Sequence, residues 1–501
     1  MKIKILSFSF FFLISVSLIL ASWYVLHGDL HFSSDIARDF LLYEEISAKK
    51  FILIGPRSSV SGLFHGPLWL YVNYPAFLLG KGNPVVVGWY WILLVATTLV
   101  GYYVIAKKMF GELSAKLFVL MTALYMVFQT SSFINPYGAM LALPFFFFFF
   151  VRYLQTLKPK FLVTSILLVG ALVQFQIAIG SPFFILTFLY CIPFLYKKKK
   201  IKHLLLFFVI LIPLSTFLLF DVKHGFLLTH SAIRHLQTHD SRSSFVALLK
   251  DRINILFGGI EFLRYGPANG SLYVGVLLFI FTLLQIKQKK NELIYKTFLY
   301  FYVGYYVMSF LNRYGLLYFY VFPLFPFAFL IFSSFANSKF KTLFLVIFFT
   351  MYFVNFLGVI DYVQREVNFT GKSQDSWKSQ LEVAQGVFSK AENEFGYFVY
   401  SPDVLGYSPK YAMDYVKTLY PNKKAESFIK RPVTYLVIAP PPSDNPFMQD
   451  DWWRKNQLNI KSEPVLTIHF PDGYKVEKLL LTNDELNVSF DPAINPGLHF
   501  R

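Results

Sequence analysis

Long apolar runs broken by short basic turns make up most of the first 361 residues. The run from Ile5 to Val25 follows Lys2 and Lys4 and is long enough to cross a hydrocarbon core of ~30 Å. Ten more follow at about Val85–Ala106, Leu113–Gln129, Ala139–Leu154, Phe161–Ile179, Pro182–Tyr196, Leu204–Phe220, Leu272–Ile286, Phe298–Leu311, Leu316–Phe332 and Leu343–Val359. The pattern predicts a polytopic α-helical membrane protein of about eleven transmembrane helices. The first run is long and lacks a small-x-small cleavage site, so a retained anchor is expected rather than a removed leader. Phe145 to Phe150 read as lipid-facing bulk.

Two polar interruptions, 27–84 and 221–270, are long enough to build something. In the first, Ser33 or Ser34 can cap a helix starting near Asp35. Ile36, Phe40 and Tyr43 then form a stripe at i, i+4, i+7, expected to lie on the membrane surface. Asp35, Arg38 and Asp39 share the other face, within reach at i+3 and i+4. The segment FHGPLWLYVNYPAFLLG is predicted to run along the bilayer or dip into it, because a full span there would break the charge pattern below. From about Gln364 the composition turns ordinary. DSWKSQLEVAQGVFSKAENEFG reads as an amphipathic helix capped by Asp375. FGYFVYSPD, VTYLVIAPPP, PVLTIHF and YKVEKLLL read as strands, with APPPSDNP as an exposed loop. The expected domains are therefore 1–361, a membrane domain with outer loops 27–84 and 221–270, and 362–501, a small α/β domain.

Charge orients this arrangement. Of 501 residues 55% are hydrophobic and only 15% charged, yet the net charge is +18. Residues 362–501 hold 16 basic and 17 acidic side chains, which leaves 31 and 12 in the first 361. The excess is thus confined to the membrane half, as topology and anionic lipid require and nucleic acid does not. Lys107-Lys108, Arg152 with Lys158 and Lys160, Lys197 to Lys200, Lys287 to Lys290, and Lys339 with Lys341 all fall on the same side as Lys2. Ten of the 12 acids fall on the other side; only Glu112 and Glu292 do not. The expectation is a plasma-membrane protein with a cytoplasmic N-terminus and an extracytoplasmic C-terminal domain. The single cysteine, Cys191, rules out an intramolecular disulfide and reads as a small buried apolar residue.

Asp35 is the first candidate for a general base that activates a hydroxyl, with Asp39 as helper. Arg38, Arg57, His65 and Arg313 are candidates for holding an anionic substrate group. Arg313 stands out because Asn312-Arg313-Tyr314 interrupts a very apolar stretch, while Asn135 reads as a helix-start residue before Pro136. No metal site is predicted, although paired carboxylates leave a divalent ion open. With no P-loop, dinucleotide fingerprint or HExxH, no cofactor is expected.

DIARDFLLYEEI, LIGPRSSVSG, HGPLWLYV and a helix ending AKKMFGE, in this order, resemble the GT-C glycosyltransferases. The likeness is to glycosyltransferase family 39, which includes relatives of the dolichyl-phosphate-mannose protein mannosyltransferases and the lipid A aminoarabinose transferases. It covers roughly Met1 to Phe332 and is strongest from Asp35 to Pro84; RYGLLYFYVFPLFPFAFL resembles their late Arg-Tyr…Pro…Pro span. The resemblance implies a polyprenyl-phosphate sugar donor and an acceptor hydroxyl on an envelope lipid, glycan or protein. It also implies one inverting displacement at the outer face, with Asp35 as the catalytic aspartate. Three positions depart from the pattern. Ile36 stands where many members carry Glu, His65-Gly66 where the aminoarabinose branch carries Lys, and Asn135 near that branch's second outer-loop Asp. The donor and acceptor of that branch are therefore not carried over. The rival from another class is a transporter or flippase of lipid-linked sugars, which would place polar groups near the bilayer midplane; here Gln174 and Gln176 come nearest to that.

Overall fold

The computed structural model describes residues 2–49, 51–237, 244–289, 291–311, 315–401, 405–441 and 449–494. Arg313 and most of the APPPSDNP loop lie outside them. Each predicted apolar run has a helical counterpart. In chain order these and the connecting helices are α1 (Lys2–Ala21), α2 (Ser34–Lys49), α3 (Leu68–Leu79), α4 (Pro84–Phe110), α5 (Glu112–Met126), α6 (Asn135–Thr156), α7 (Pro159–Phe175), α8 (Ile177–Lys197) and α9 (Ile201–Lys223). Then come α10 (Leu227–Gln237), α11 (Phe245–Gly258), α12 (Gly270–Lys287), α13 (Glu292–Met308), α14 (Tyr318–Asn337) and α15 (Lys341–Phe369). Among the described residues seven of them, α4, α6, α8, α9, α12, α14 and α15, are long and apolar enough to cross a membrane. With its 12 residues α3 reaches only ~18 Å, so it is too short to span, as charge sorting requires.

Two compact units emerge from the packing. One comprises 1–21, 52–72 and 91–363; the other comprises 22–51, 73–90 and 364–501. In the first, α6 is a central helix, and Phe146, Phe147, Phe148 and Phe150 are buried. Phe146 meets Phe301 edge to face at 5.3 Å and Phe147 meets Phe327 at 4.9 Å. The lipid-facing expectation for this run is corrected: an all-apolar helix is equally suited to lipid and to a protein core, and only its neighbours decide which.

In the second unit a five-stranded sheet has the order β2-β1-β3-β5-β4, with β1 Glu394–Tyr400, β2 Lys424–Ser427, β3 Val433–Ile438, β4 Leu466–His469 and β5 Lys475–Leu480. Pairing is parallel between β1 and both β2 and β3, and antiparallel from β3 to β5 and β5 to β4. Two helices, α16 (Trp377–Lys390) and α17 (Tyr407–Leu419), pack together. The sequence pattern missed α17 and β2. The cap of α16 is Ser376, whose side chain accepts from Ser379 N, and not Asp375. Either residue type serves, and the chain enters the helix one residue later than expected.

Candidate active site

Helix α2 carries Asp35 in its first turn, and Ala37 N donates to Ser33 O at 2.9 Å. Its apolar stripe does not face lipid. Ile36, Phe40 and Tyr43 are each 1% exposed, and Phe40 packs edge to face on Tyr411 of α17 at 5.1 Å and on Phe77 at 6.0 Å. The membrane-surface expectation is therefore corrected. Periodicity shows that a face must be covered, but the cover here is the α/β layer. Phe32, just ahead of the helix, sits 4.9 Å from the Trp377 ring and 5.6 Å from Tyr411, and its carbonyl accepts from Ser408 Oγ at 2.9 Å.

Asp29 fixes the approach to this helix. Fully buried, it accepts from Leu30 N (2.7 Å) and Lys378 N (3.0 Å) at Oδ1, and from Ser376 Oγ (2.7 Å) and Gly371 N (3.2 Å) at Oδ2. Phe32 N donates to Asp375 O and Trp377 N to Leu30 O, so residues 29–32 pair with 371–378. Beside Asp29 lies a polar cavity of about 190 Å³ lined by Tyr24, His31, Glu366, Thr370 and Asp375 among others. Nothing in the local sequence singles Asp29 out; its partners are some 340 residues away.

On the polar side of α2, Arg38 is shared between two carboxylates. Its Nη1 donates to Asp35 Oδ1 at 2.5 Å, while Nε and Nη2 converge on Asp39 Oδ1 at 3.2 and 3.0 Å. Burial would lower the Arg38 pKa, but the charges of Asp39 and Asp35 outweigh it and hold the guanidinium cationic. The two acids differ in access: the Asp35 side chain is 50% exposed and that of Asp39 only 4%. Asp39 anchors Arg38, Arg38 orients Asp35, and Asp35 alone presents its carboxylate outward. One turn on, burial pushes the Glu44 carboxyl up to about 8, with the charge of Asp414 adding to it and Lys410 opposing.

Arg57 and His65 belong to the other unit, in a hairpin where Arg57 pairs with Phe64. Gly55 N donates to His65 O and His65 N to Pro56 O, both at 2.8 Å. Adjacent ladder positions alternate faces, so the exposed Arg57 and the half-buried His65 point to opposite sides of the ribbon. Glycine is required twice here: a Cβ on Gly55 would lie 2.3 Å from Gly66 O, and one on Gly66 would lie 1.9 Å from Gln174 Oε1. Gly66 N donates to Gln174 O, and Gln174 Nε2 binds Thr216 Oγ1 at 3.0 Å, which gives this span glutamine a bracing role. Asn135 likewise ties α6 to α7 through Nδ2 to Phe175 O at 2.6 Å.

The same unit holds a second polar cluster that the sequence did not reveal. Arg264 pairs with Glu261 at 2.9 Å and lies 4.5 Å over the Phe128 ring. Tyr125 and Tyr318 share a hydroxyl contact at 2.8 Å, and Tyr137 donates to Gln129 at 2.5 Å. Among the described residues no three His, Cys, Asp or Glu side chains converge as a metal site.

No family model and no curated protein sequence matches the chain. Solved structures do. ArnT from Cupriavidus metallidurans, in a crystal structure bound to undecaprenyl phosphate and in one of the apo state, superposes with a TM-score of 0.59 in each case. The match covers 93% of this chain and 97% of that one at 12% identity. Such identity carries the fold and not the reaction. In fold the chain is similar to these structures: a multi-pass membrane protein whose helical part is followed by a small α/β domain.

Proposed function

We propose that the protein transfers a sugar from a polyprenyl-phosphate donor to an acceptor hydroxyl at the outer face of the membrane, with inversion, and that Asp35 is the general base. The observation that carries this reading is the Asp35–Arg38–Asp39 array on a GT-C fold. A base must reach its proton within hydrogen-bond distance and be held at one angle. Arg38, itself fixed by the buried Asp39, supplies the angle, and the half-exposed Asp35 supplies the access. Of the candidates, Arg57 is the cation that would steady the departing lipid phosphate, as the exposed member of its hairpin. His65 and Arg313 remain candidates for the same task. The ArnT structure that holds undecaprenyl phosphate supports a lipid phosphate as the donor's carrier. In this reading the acceptor is an envelope lipid, glycan or protein, and the basic residues on the side of the N-terminus support a cytoplasmic position for it.

Membranes containing the protein, incubated with a panel of labelled polyprenyl-phosphate sugars and an envelope extract, test this. Label appearing in a new product with release of polyprenyl phosphate supports transfer. Label that crosses the bilayer with the sugar–phosphate bond intact makes the protein a flippase and ends the proposal.

A further inference from the structure

At one end of the membrane bundle two turns come together with a concentration of charge that the other turns lack. The α6–α7 turn carries Arg152, Lys158 and Lys160; the α8–α9 turn carries Lys197 to Lys200 and Lys202. All eight side chains are exposed. Tyr153 Oη contacts His203 Nδ1 at 2.9 Å, joining the end of α6 to the start of α9. Farther along, Gly170 lets α7 approach α9 so closely that a Cβ there would lie 2.1 Å from Pro213 Cγ. The juxtaposition of the turns is thus built into the helix packing.

The neighbouring basic turns neutralise part of their charge. Lys107 and Lys116 pair with Glu112 at 2.6 and 3.3 Å, and Lys296 pairs with Glu292 at 2.5 Å. Neither the 152–160 nor the 197–203 stretch contains an acid, and among the described residues none of the eight cations makes an ion pair. Orientation needs only a few positive charges per turn; eight uncompensated ones in two adjoining turns exceed that need.

The surface next to them points to the partner. Helix α9 begins directly at the lysine run and is the least buried of the seven long apolar helices. Tyr196, Leu205 and Phe208 are exposed at 79%, 66% and 68%. The cations therefore rim a lipid-bathed apolar wall, as a headgroup site requires and a site for a soluble anion does not. We propose that these two turns form a docking surface for anionic phospholipid headgroups, whose acyl chains lie along α9.

The test extracts the protein from vesicles of equal phosphatidylglycerol and phosphatidylcholine and quantifies the lipid that stays bound. Phosphatidylglycerol is expected to be enriched at low salt, and the enrichment to vanish near 1 M salt, where screening acts within ~3 Å. Each cation near such a surface strengthens association about five-fold. Replacing Lys197, Lys198, Lys199, Lys200 and Lys202 by Gln should therefore lower the enrichment well over ten-fold. The five Lys→Arg substitutions should preserve it, and Lys107→Gln with Lys108→Gln should leave it unchanged. Because loss of five charges can also disturb insertion, the salt titration of the unaltered protein stands as an independent arm. Equal retention of both lipids by that protein at low salt overturns the proposal. So does a thermal shift with inorganic phosphate in pure phosphatidylcholine without phosphatidylglycerol enrichment in the mixed vesicles, since the surface would then serve a soluble anion.

Discussion

Asp29→Ala should loosen the joint that leads into the helix bearing Asp35. The carboxylate accepts four hydrogen bonds, three from backbone amides and one from Ser376 Oγ. Bonds to a charged acceptor contribute about 1.5–3 kcal/mol each, which taken alone suggests a loss of ~6–12 kcal/mol. That figure is too large here, because the adjoining cavity of about 190 Å³ is polar and admits water to the orphaned donors. With water as a substitute partner the loss falls towards ~1 kcal/mol per bond, or ~3–4 kcal/mol in total. Amide hydrogen exchange of the peptide covering Gly371 to Lys378 reads this directly, since the opening equilibrium should rise roughly 200- to 800-fold. Asp29→Asn can keep the two acceptor bonds at one oxygen and lose those at the other, so it should cost about half as much. Protection in Asp29→Ala within about ten-fold of the unaltered protein would refute the reasoning, as would an Asn variant as open as the Ala variant.

Other consequences follow from charges in the same unit. Removing Arg38 as Arg38→Ala takes from Asp39, 3% exposed, the guanidinium that balances its charge, so a loss of ~3–5 kcal/mol in thermal or denaturant unfolding is expected; a loss under 1 kcal/mol contradicts the pairing. The Glu44 carboxyl, raised to about 8, takes up a proton on folding between about pH 4.5 and 8. Stability should therefore be greatest below that window, fall as pH rises through it by at most about 5 kcal/mol, and lose this slope in Glu44→Gln; an unchanged slope in the variant refutes it. Glu485 behaves oppositely. Burial would raise it, but hydrogen bonds from Ser462, Thr482 and Lys461 N hold it at about 2. Its contribution of ~2–3 kcal/mol should be intact above about pH 4.5 and disappear as pH falls towards 2, an acid limb that Glu485→Gln should lack.

The membrane half was legible because its rules are one-dimensional. A run of twenty apolar residues has few alternatives in lipid, and basic turns sort by side whatever the helices pack against. The Asp35–Arg38–Asp39 cluster was legible for a similar reason, since i+3 and i+4 spacing fixes proximity on any helix. The division of labour within it was not. Two carboxylates of equal standing in sequence became an anchor and an exposed group only when α17 and Phe77 covered one side of α2. The bracing roles of Asp29 and Gln174 and the Tyr125–Tyr318 contact escaped notice because their partners are distant in the chain, and local pattern carries no signal for such pairs. Helix α17 was missed for a different reason: Tyr407, Tyr411 and Tyr415 do recur at helical spacing, but the segment opens with Gly406, Ser408 and Pro409, which read as a turn.

Asp35 as the base is the central claim, and the initial rate of sugar transfer by Asp35→Asn, at saturating donor and equal protein in the membrane, tests it most directly. A positioned general base contributes about 10²- to 10⁴-fold, so the variant should insert and fold normally yet transfer at least a hundred-fold more slowly. Turnover by Asp35→Asn equal to that of the unaltered protein would contradict the account and place the base elsewhere.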